Sequence, residues 1–182
     1  SAGIKRSRKP DVALVAADRS ATAAAVFTSN RIQAAPVQIS ARRVRRGSAR
    51  AILLNSGCAN CMTGPEGFRD ALRLGHEVAR ALGVADEQVL LASTGIIGRR
   101  LPVPRIERAI HQVVSQLSRG RHGAAAQAML TTDQRPKEAA VEIRLNGKTV
   151  RIGGMAKGAG MIAPSMATML CVITTDAQAS PA

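Results

Sequence analysis

The sequence predicts an α+β fold in layers, of the αββα kind, and three observations predict it. Short apolar runs of strand length are mixed with amphipathic stretches of helical period, but the two do not alternate strictly, which disfavours a doubly wound parallel sheet. Asn146-Gly147 sits between two alternating segments, the strongest short hairpin signal a sequence can carry. The chain has 182 residues, 46% hydrophobic and 21% charged, which suits one globular domain with a real core and excludes a disordered or fibrous one.

The elements follow in order. Asp11–Ala17 and Ala23–Ser29 read as short strands around an Asp18-Arg19-Ser20 turn. Val37–Arg46 reads as a short helix with a basic face, and Ala51–Asn55 as a buried strand. The clearest helix comes next. Thr63 and Glu66 have capping-box spacing with Pro65 near the start, Phe68, Ala71, Leu72, Gly75, Val78, Ala79 and Leu82 recur every three or four residues, and Gly83 supplies the stop. Gln88–Ala92 is a second buried strand that leads into Ser93-Thr94-Gly95. A helix after Pro104 carries Ile106, Ile110, Val113, Val114 and Leu117 on one stripe, and an Ala-rich helix spans Gly123–Leu130. The hairpin Glu138–Leu145 with Lys148–Ile152 then precedes a glycine-rich loop, Gly153–Pro164, and a last apolar strand, Met166–Thr174.

Charge is lopsided. There are 26 Lys+Arg against 12 Asp+Glu, a formal +14, while Trp and Tyr are absent and Phe27 and Phe68 are the only aromatics. A field of that sign attracts anions or an acidic partner chain. Single-stranded nucleic acid is disfavoured because the aromatic stacking platforms are missing, so Arg42-Arg43-Val44-Arg45-Arg46 reads as a solvated or partner-facing surface. No apolar run approaches the roughly 20 residues of a membrane span. Ser1–Pro10 lacks the apolar stretch of a signal peptide, and three cysteines make no disulfide framework, so a cytoplasmic protein is expected.

Several chemistries can be weighed on the residues. Gly153-Gly154-Met155-Ala156-Lys157-Gly158-Ala159-Gly160 is not a phosphate loop, because Ala156 precedes the lysine and Gly158 follows it. Its glycines still allow close backbone approach, and Lys157 could meet a carboxylate. Cys58-Ala59-Asn60-Cys61 could be a redox pair or half a zinc site, with buried small thiols as the default. His76, His111 and His122 show no metal spacing, so no metal is expected. The hydroxyls remain: Thr94 beside Gly95 could supply donors to a developing oxyanion. Thr168 follows the glycine-rich loop, and on the residues alone it reads as an ordinary strand threonine.

Taken together, Gly3-Ile4-Lys5, Ala25-Val26-Phe27-Thr28, Asn30 with Ala34-Ala35-Pro36-Val37, Asn55-Ser56-Gly57-Cys58-Ala59-Asn60 with Thr63-Gly64, Ser93-Thr94-Gly95-Ile96-Ile97-Gly98, Met129-Leu130-Thr131-Thr132-Asp133 with Pro136-Lys137, and Gly154-Met155-Ala156-Lys157-Gly158 through Met166-Ala167-Thr168-Met169-Leu170 resemble the ornithine acetyltransferase (glutamate N-acetyltransferase) family of arginine biosynthesis. The likeness runs from about Gly3 to Ala177. It implies a precursor of layered αββα type that cleaves itself at Ala167–Thr168, giving an α-chain domain 1–167 and a β chain beginning at Thr168, of which 168–182 is the start. It further implies Thr168 as the nucleophile, Thr94 and the Gly95 N–H as the oxyanion hole, and Thr131 and Lys157 as substrate contacts. Acetyl would pass from N2-acetylornithine to Thr168 and then to glutamate, a ping-pong transfer without a bound cofactor, although acetyl-CoA could also serve as acetyl donor.

Set against that family, the chain reads as an incomplete molecule: an α subunit with a short β stub, active as an αβ hetero-oligomer once the rest of the β chain is present. Two other readings stand beside it. One is a non-catalytic remnant or partner-binding subunit, and the other is an N-terminal-nucleophile aminopeptidase of related architecture.

Overall fold

A computed structural model describes residues 1–7, 9–161, 166 and 168–180. Its elements are β1 (Val12–Thr22), α1 (Ala35–Val44), β2 (Ser48–Cys58), α2 (Gly64–Leu82), β3 (Val89–Ile96), α3 (Val103–Ser115), α4 (His122–Met129), β4 (Lys137–Leu145), β5 (Lys148–Lys157) and β6 (Leu170–Thr175). The strands form two three-stranded sheets, one in the order β1-β2-β3 and the other β4-β5-β6. In the first, β1 and β2 are antiparallel while β2 and β3 are parallel. The second is antiparallel throughout.

Strand alternation decides the layering, because successive side chains point to opposite faces. From the first sheet, Val12, Leu14, Ala51, Leu53, Val89 and Leu91 pack with Ile39, Leu74, Val78, Ile106 and Ile110 of α1, α2 and α3. The intervening residues Ala13, Val15, Ile52, Leu54 and Ala92 pack instead with Met129 of α4 and with Met155, Leu170 and Val172 of the second sheet. The order is therefore helices, sheet, sheet, with α4 set between the sheets. The expected α+β class holds.

Polar side chains lock the helices in place. The Ser40 hydroxyl donates to the Leu91 carbonyl at 2.8 Å and accepts the Leu91 N–H at 2.7 Å. Arg43 is buried and donates to the Val89 carbonyl at 2.6 Å, so α1 is pinned to β3 at two points. Gly83 ends α2 in the left-handed conformation, φ 65°, with its N–H on the Ala79 and Arg80 carbonyls, as expected of a glycine stop.

Five expectations need correction. Asp18-Arg19-Ser20 is not a turn: β1 continues through it to Thr22, with a register irregularity between Ala16 and Ala21 that leaves these exposed polar residues unpaired. Ala23–Ser29 is accordingly irregular coil rather than strand. The Thr63–Glu66 capping box does not form, because the Thr63 hydroxyl donates to Asn60 Oδ1 at 2.8 Å and Glu66 pairs with Arg100. Gly153–Lys157 belongs to β5. Gly153 and Gly154 lie in the central strand, paired with Ala140 and Ala139 on one side and Thr174 and Ile173 on the other, so neighbours on both edges hold these glycines extended. The last strand is shorter than the Met166–Thr174 reading, and residues 162–165 and 167 lie outside the described residues.

Candidate active site

The chemistry-bearing residues meet where three strand ends converge. Thr94 is the sixth residue of β3 and is fully buried. Lys157 ends β5 and is only 3% exposed. Thr168 lies two residues before β6, and because β6 pairs with β5 from Lys157↔Leu170 onward, that pairing delivers Thr168 to the lysine. The Lys157 ammonium donates to Thr94 Oγ1 at 3.0 Å and to the Thr168 carbonyl at 3.0 Å. The Thr94 hydroxyl donates to the same carbonyl at 3.2 Å. The Thr168 hydroxyl lies 3.9 Å from the Met161 sulfur and has no basic side chain as partner among the described residues.

Below this triangle the first sheet carries a backbone feature that only glycine permits. Gly57 and Gly95 face each other across β2 and β3 with φ of +101° and +131°. A Cβ on Gly95 would stand 2.3 Å from the Gly57 carbonyl carbon and 2.5 Å from the Cys58 nitrogen. The close crossing and the positive φ both require glycine there. Side chains brace it: Ser93 donates to Asn55 Oδ1 at 2.5 Å, and Asn55 Nδ2 donates to the Cys58 carbonyl at 2.9 Å. The sequence reading ended this strand at Ala92, before Ser93-Thr94-Gly95, whereas β3 continues through Gly95 to Ile96, so the hydroxyl is held by a sheet.

An electrostatic frame surrounds Lys157. Burial lowers the Lys157 pKa from the ordinary lysine value, the Asp133 charge works against that fall, and the Lys137 charge adds to it. The Asp133 side chain is fully buried. Its carboxylate accepts the Gly158 N–H at 2.8 Å and pairs with the Lys137 ammonium. Burial opposes its ionisation, yet the bonds from Lys137, Gly158 and the Thr131 backbone outweigh burial and hold its pKa below the usual carboxylate value. Lys5, its pKa also lowered by burial, donates to the Pro10 and Ala128 carbonyls at 2.7 and 3.2 Å and feels the Lys157 charge.

Thr94, Lys157 and Thr168 of the sequence-derived set are thus brought together, with Gly95 beside them. Thr131 is exposed and reaches the cluster through its backbone and Asp133. Ala167 lies outside the described residues. Asp133 and Lys5 were not singled out from the sequence as members of the cluster. Both stand in segments that carry the family resemblance, but the one local signal, the Asp133/Lys137 spacing, is informative on a helix and residues 133–137 form none. The cysteines stay free: Cys58 is buried, lies 3.0 Å from the Arg99 carbonyl, and has its thiol pKa pushed up by burial. That is the reverse of a reactive thiol. Among the described residues no three His, Cys, Asp or Glu side chains gather as a metal site, and no helix is long and apolar enough to cross a membrane.

Comparison with known proteins bears on this arrangement. The model of the ArgJ family matches residues 1–182. The chain belongs to the ArgJ family. It is 50% identical over its whole length to the "Arginine biosynthesis bifunctional protein ArgJ" of Thermosynechococcus vestitus, covering 43% of that protein. It is 53% identical over 90% of its length to the "Glutamate N-acetyltransferase" of Methanothermobacter thermautotrophicus, covering 41% of that protein. Among solved structures, ornithine acetyltransferase from Mycobacterium tuberculosis, complexed with ornithine, superposes with TM-score 0.79 at 38% identity, over 90% of this chain and 87% of that one. The ArgJ protein of Bacillus halodurans gives TM-score 0.82 at 34% identity, over 93% and 87%. This ArgJ-family chain therefore spans less than half the length of those two curated relatives.

Proposed function

We propose that the chain is the N-terminal part of a self-processing acetyltransferase that moves acetyl from N2-acetylornithine to glutamate in arginine biosynthesis. In this reading the Thr168 hydroxyl attacks the Ala167 carbonyl carbon, the Ala167–Thr168 amide becomes an ester as its C–N bond breaks and frees the Thr168 α-amine, and water then hydrolyses the ester, leaving an Ala167 carboxylate and restoring the Thr168 hydroxyl. Residues 1–167 are then the α-chain domain and 168–182 the start of a β chain. The observation that carries the reading is the convergence of Lys157 and Thr94 on the Thr168 carbonyl, which orients this threonine as a merely structural strand residue would not require.

A free α-amine titrates near about 7.7–8.0, within reach of neutral pH, and a neighbouring ammonium such as Lys157 pushes that value down. The neutral amine can therefore take the Thr168 hydroxyl proton. The hydroxyl oxygen attacks the acetyl carbonyl, donors at Thr94 and the Gly95 N–H stabilise the oxyanion, and ornithine leaves with the proton. Glutamate's amine then takes the acetyl group from the Thr168 ester. Thr131 and Lys157 serve as substrate contacts, the ammonium being suited to an amino-acid carboxylate. Acetyl-CoA is a second possible donor for the same ester.

The test is the intact mass of the chain beside its Thr168→Ala variant, followed by acetyl transfer in a complete assembly with the remaining β chain. The expected result is a wild-type chain shortened by 168–182 and an uncut variant. Wild-type transfer activity retained after Thr168→Ala would sink the reading.

A further inference from the structure

We propose that Asp133 is a positioning residue that aims Lys157 at the Thr168 carbonyl and keeps it cationic. The inference deepens the reading above and rests on it only for the cleavage step. Three segments meet at this carboxylate. Asp133 lies in the bend after α4, Lys137 opens β4, and Gly158 follows directly on Lys157 at the exit of β5. One carboxylate oxygen takes both the Gly158 N–H, at 2.8 Å, and the Lys137 ammonium. Lys137 also donates to the Gly158 carbonyl at 3.2 Å, so both polar groups of the Gly158 backbone are held from one spot. A non-glycine residue would not sit there readily, since Gly158 has φ +155° and a Cβ would stand 2.8 Å from Met161. The strand exit is therefore fixed by the clamp, and the next residue back is the lysine that grips Thr94 and Thr168.

Charge supplies the second half of the argument. Lys157 is buried, and burial disfavours the ammonium. The charges that bear on it are Asp133, which favours the ammonium, Lys137, which opposes it, and Lys5 from the N-terminal segment, another cation. Asp133 is the sole anion in that set. As an ammonium, Lys157 makes charge-assisted bonds to both Thr94 and the Thr168 carbonyl and opposes protonation of a nearby amine.

The consequence is a pair of variants with opposite signs. Asparagine at 133 can still accept the Gly158 N–H but carries no charge, so Asp133→Asn should lower the Lys157 titration midpoint by about one unit, tenfold in its ionisation constant. Lys137→Met removes a competing cation and should raise it. Both are read in the full chain carrying Thr168→Ala, which stays uncut, by 13C NMR of lysine side chains. The sequence has five lysines, and Lys157→Arg assigns the signal. Cleavage is followed in parallel with Thr168 intact, where Asp133→Asn should slow it at least tenfold and Asp133→Glu should restore part of the rate. An unmoved Lys157 midpoint in a folded Asp133→Asn protein overturns the proposal, as does an unmoved or lowered midpoint in Lys137→Met. Should Asp133→Asn fail to fold, Lys137→Met decides alone. A wild-type chain that stays uncut alone would assign cleavage to the assembly with the rest of the β chain, where its rate is then followed, while the NMR titration would still decide the role of Asp133.

Discussion

At Gly95, φ of +131° and a Cβ position 2.3 Å from backbone leave no room for a side chain. Gly95→Ala should therefore cost at least about 2 kcal/mol, because both the strained backbone and the crossing strand must shift. Thermal unfolding should show this as a midpoint lowered by roughly 4–8 °C for a chain of this size. Lys157 makes the opposite case. Burial lowers its pKa, so the unfolded chain binds the proton more tightly than the folded one. That penalty is full below the folded pKa and fades as pH rises from there toward the ordinary lysine value. Lys157→Met should then fold at least as stably as wild type at pH 7 while losing Thr168 cleavage, the usual trade between stability and a functional charge. Asp133 has the reverse sign. Its lowered pKa contributes stability above the ordinary carboxylate value that is lost as pH falls through the folded one. Acid unfolding of Asp133→Asn should accordingly depend less on pH below about 4 than that of wild type.

The N-terminal segment shows how a single carboxylate organises an element. Asp11 is fully buried and accepts the Ala2 and Ile4 N–H groups, each at 2.6 Å, and the Ser1 hydroxyl at 3.1 Å. These contacts lay Ile4 and Lys5 against Gly57, where a Cβ would meet both at 3.1 Å. Removing the acceptor leaves buried donors unpaired, so Asp11→Ala should cost about 1–3 kcal/mol. Hydrogen exchange should speed up first at residues 2–5 and at Gly57. Nothing in local pattern announces this role, because the partners lie in an irregular segment. The same limit governs what could be read beforehand. The period of α2 and α3, the Gly83 stop and the Asn146-Gly147 hairpin were legible, since each is a local signal with a local cause. The path of β5 through Gly153-Gly154 was not, because pairing on both edges overrides local turn chemistry, and neither was that of β1 through Asp18–Ser20, where the strand runs on between paired residues on either side of a register irregularity. Thr94 and Lys157 were legible singly from their residues, but Thr168 and the grouping of the three were legible only through resemblance. Thr94, Lys157 and Thr168 come from three segments whose juxtaposition is a product of sheet topology.

At the scale of the whole molecule, one face of the second sheet exposes a row of large apolar side chains among the described residues, although Val150 on the same face is buried. Val141, Ile143, Leu145 and Ile173 are 54%, 44%, 53% and 68% exposed. The register places them on a common face: Val141 opposite Ile152, Ile143 opposite Val150, and both Ala139 and Ile173 opposite Gly154. Met155 and Val172, of the other parity, are the ones turned toward α4 and the first sheet. A contiguous apolar face of this kind on an exposed strand is an association surface. It opposes a formal charge of +14, which keeps copies apart at long range and is screened within about 8 Å at physiological ionic strength. The two forces have different salt dependence, and that separates them. The isolated chain should be most monodisperse at low salt and should associate as salt rises, because screening removes the repulsion and leaves the apolar contact. Val141→Lys combined with Ile143→Glu should keep the chain monomeric at every salt concentration without lowering its unfolding midpoint by more than a few degrees, as neither side chain is in the core. The same pair should prevent assembly with the proposed β chain if that chain covers this face. Sedimentation velocity across a salt series reads both effects. A wild-type chain that associates at low salt and dissolves at high salt would show instead that charge, not the uncovered sheet, holds its copies together.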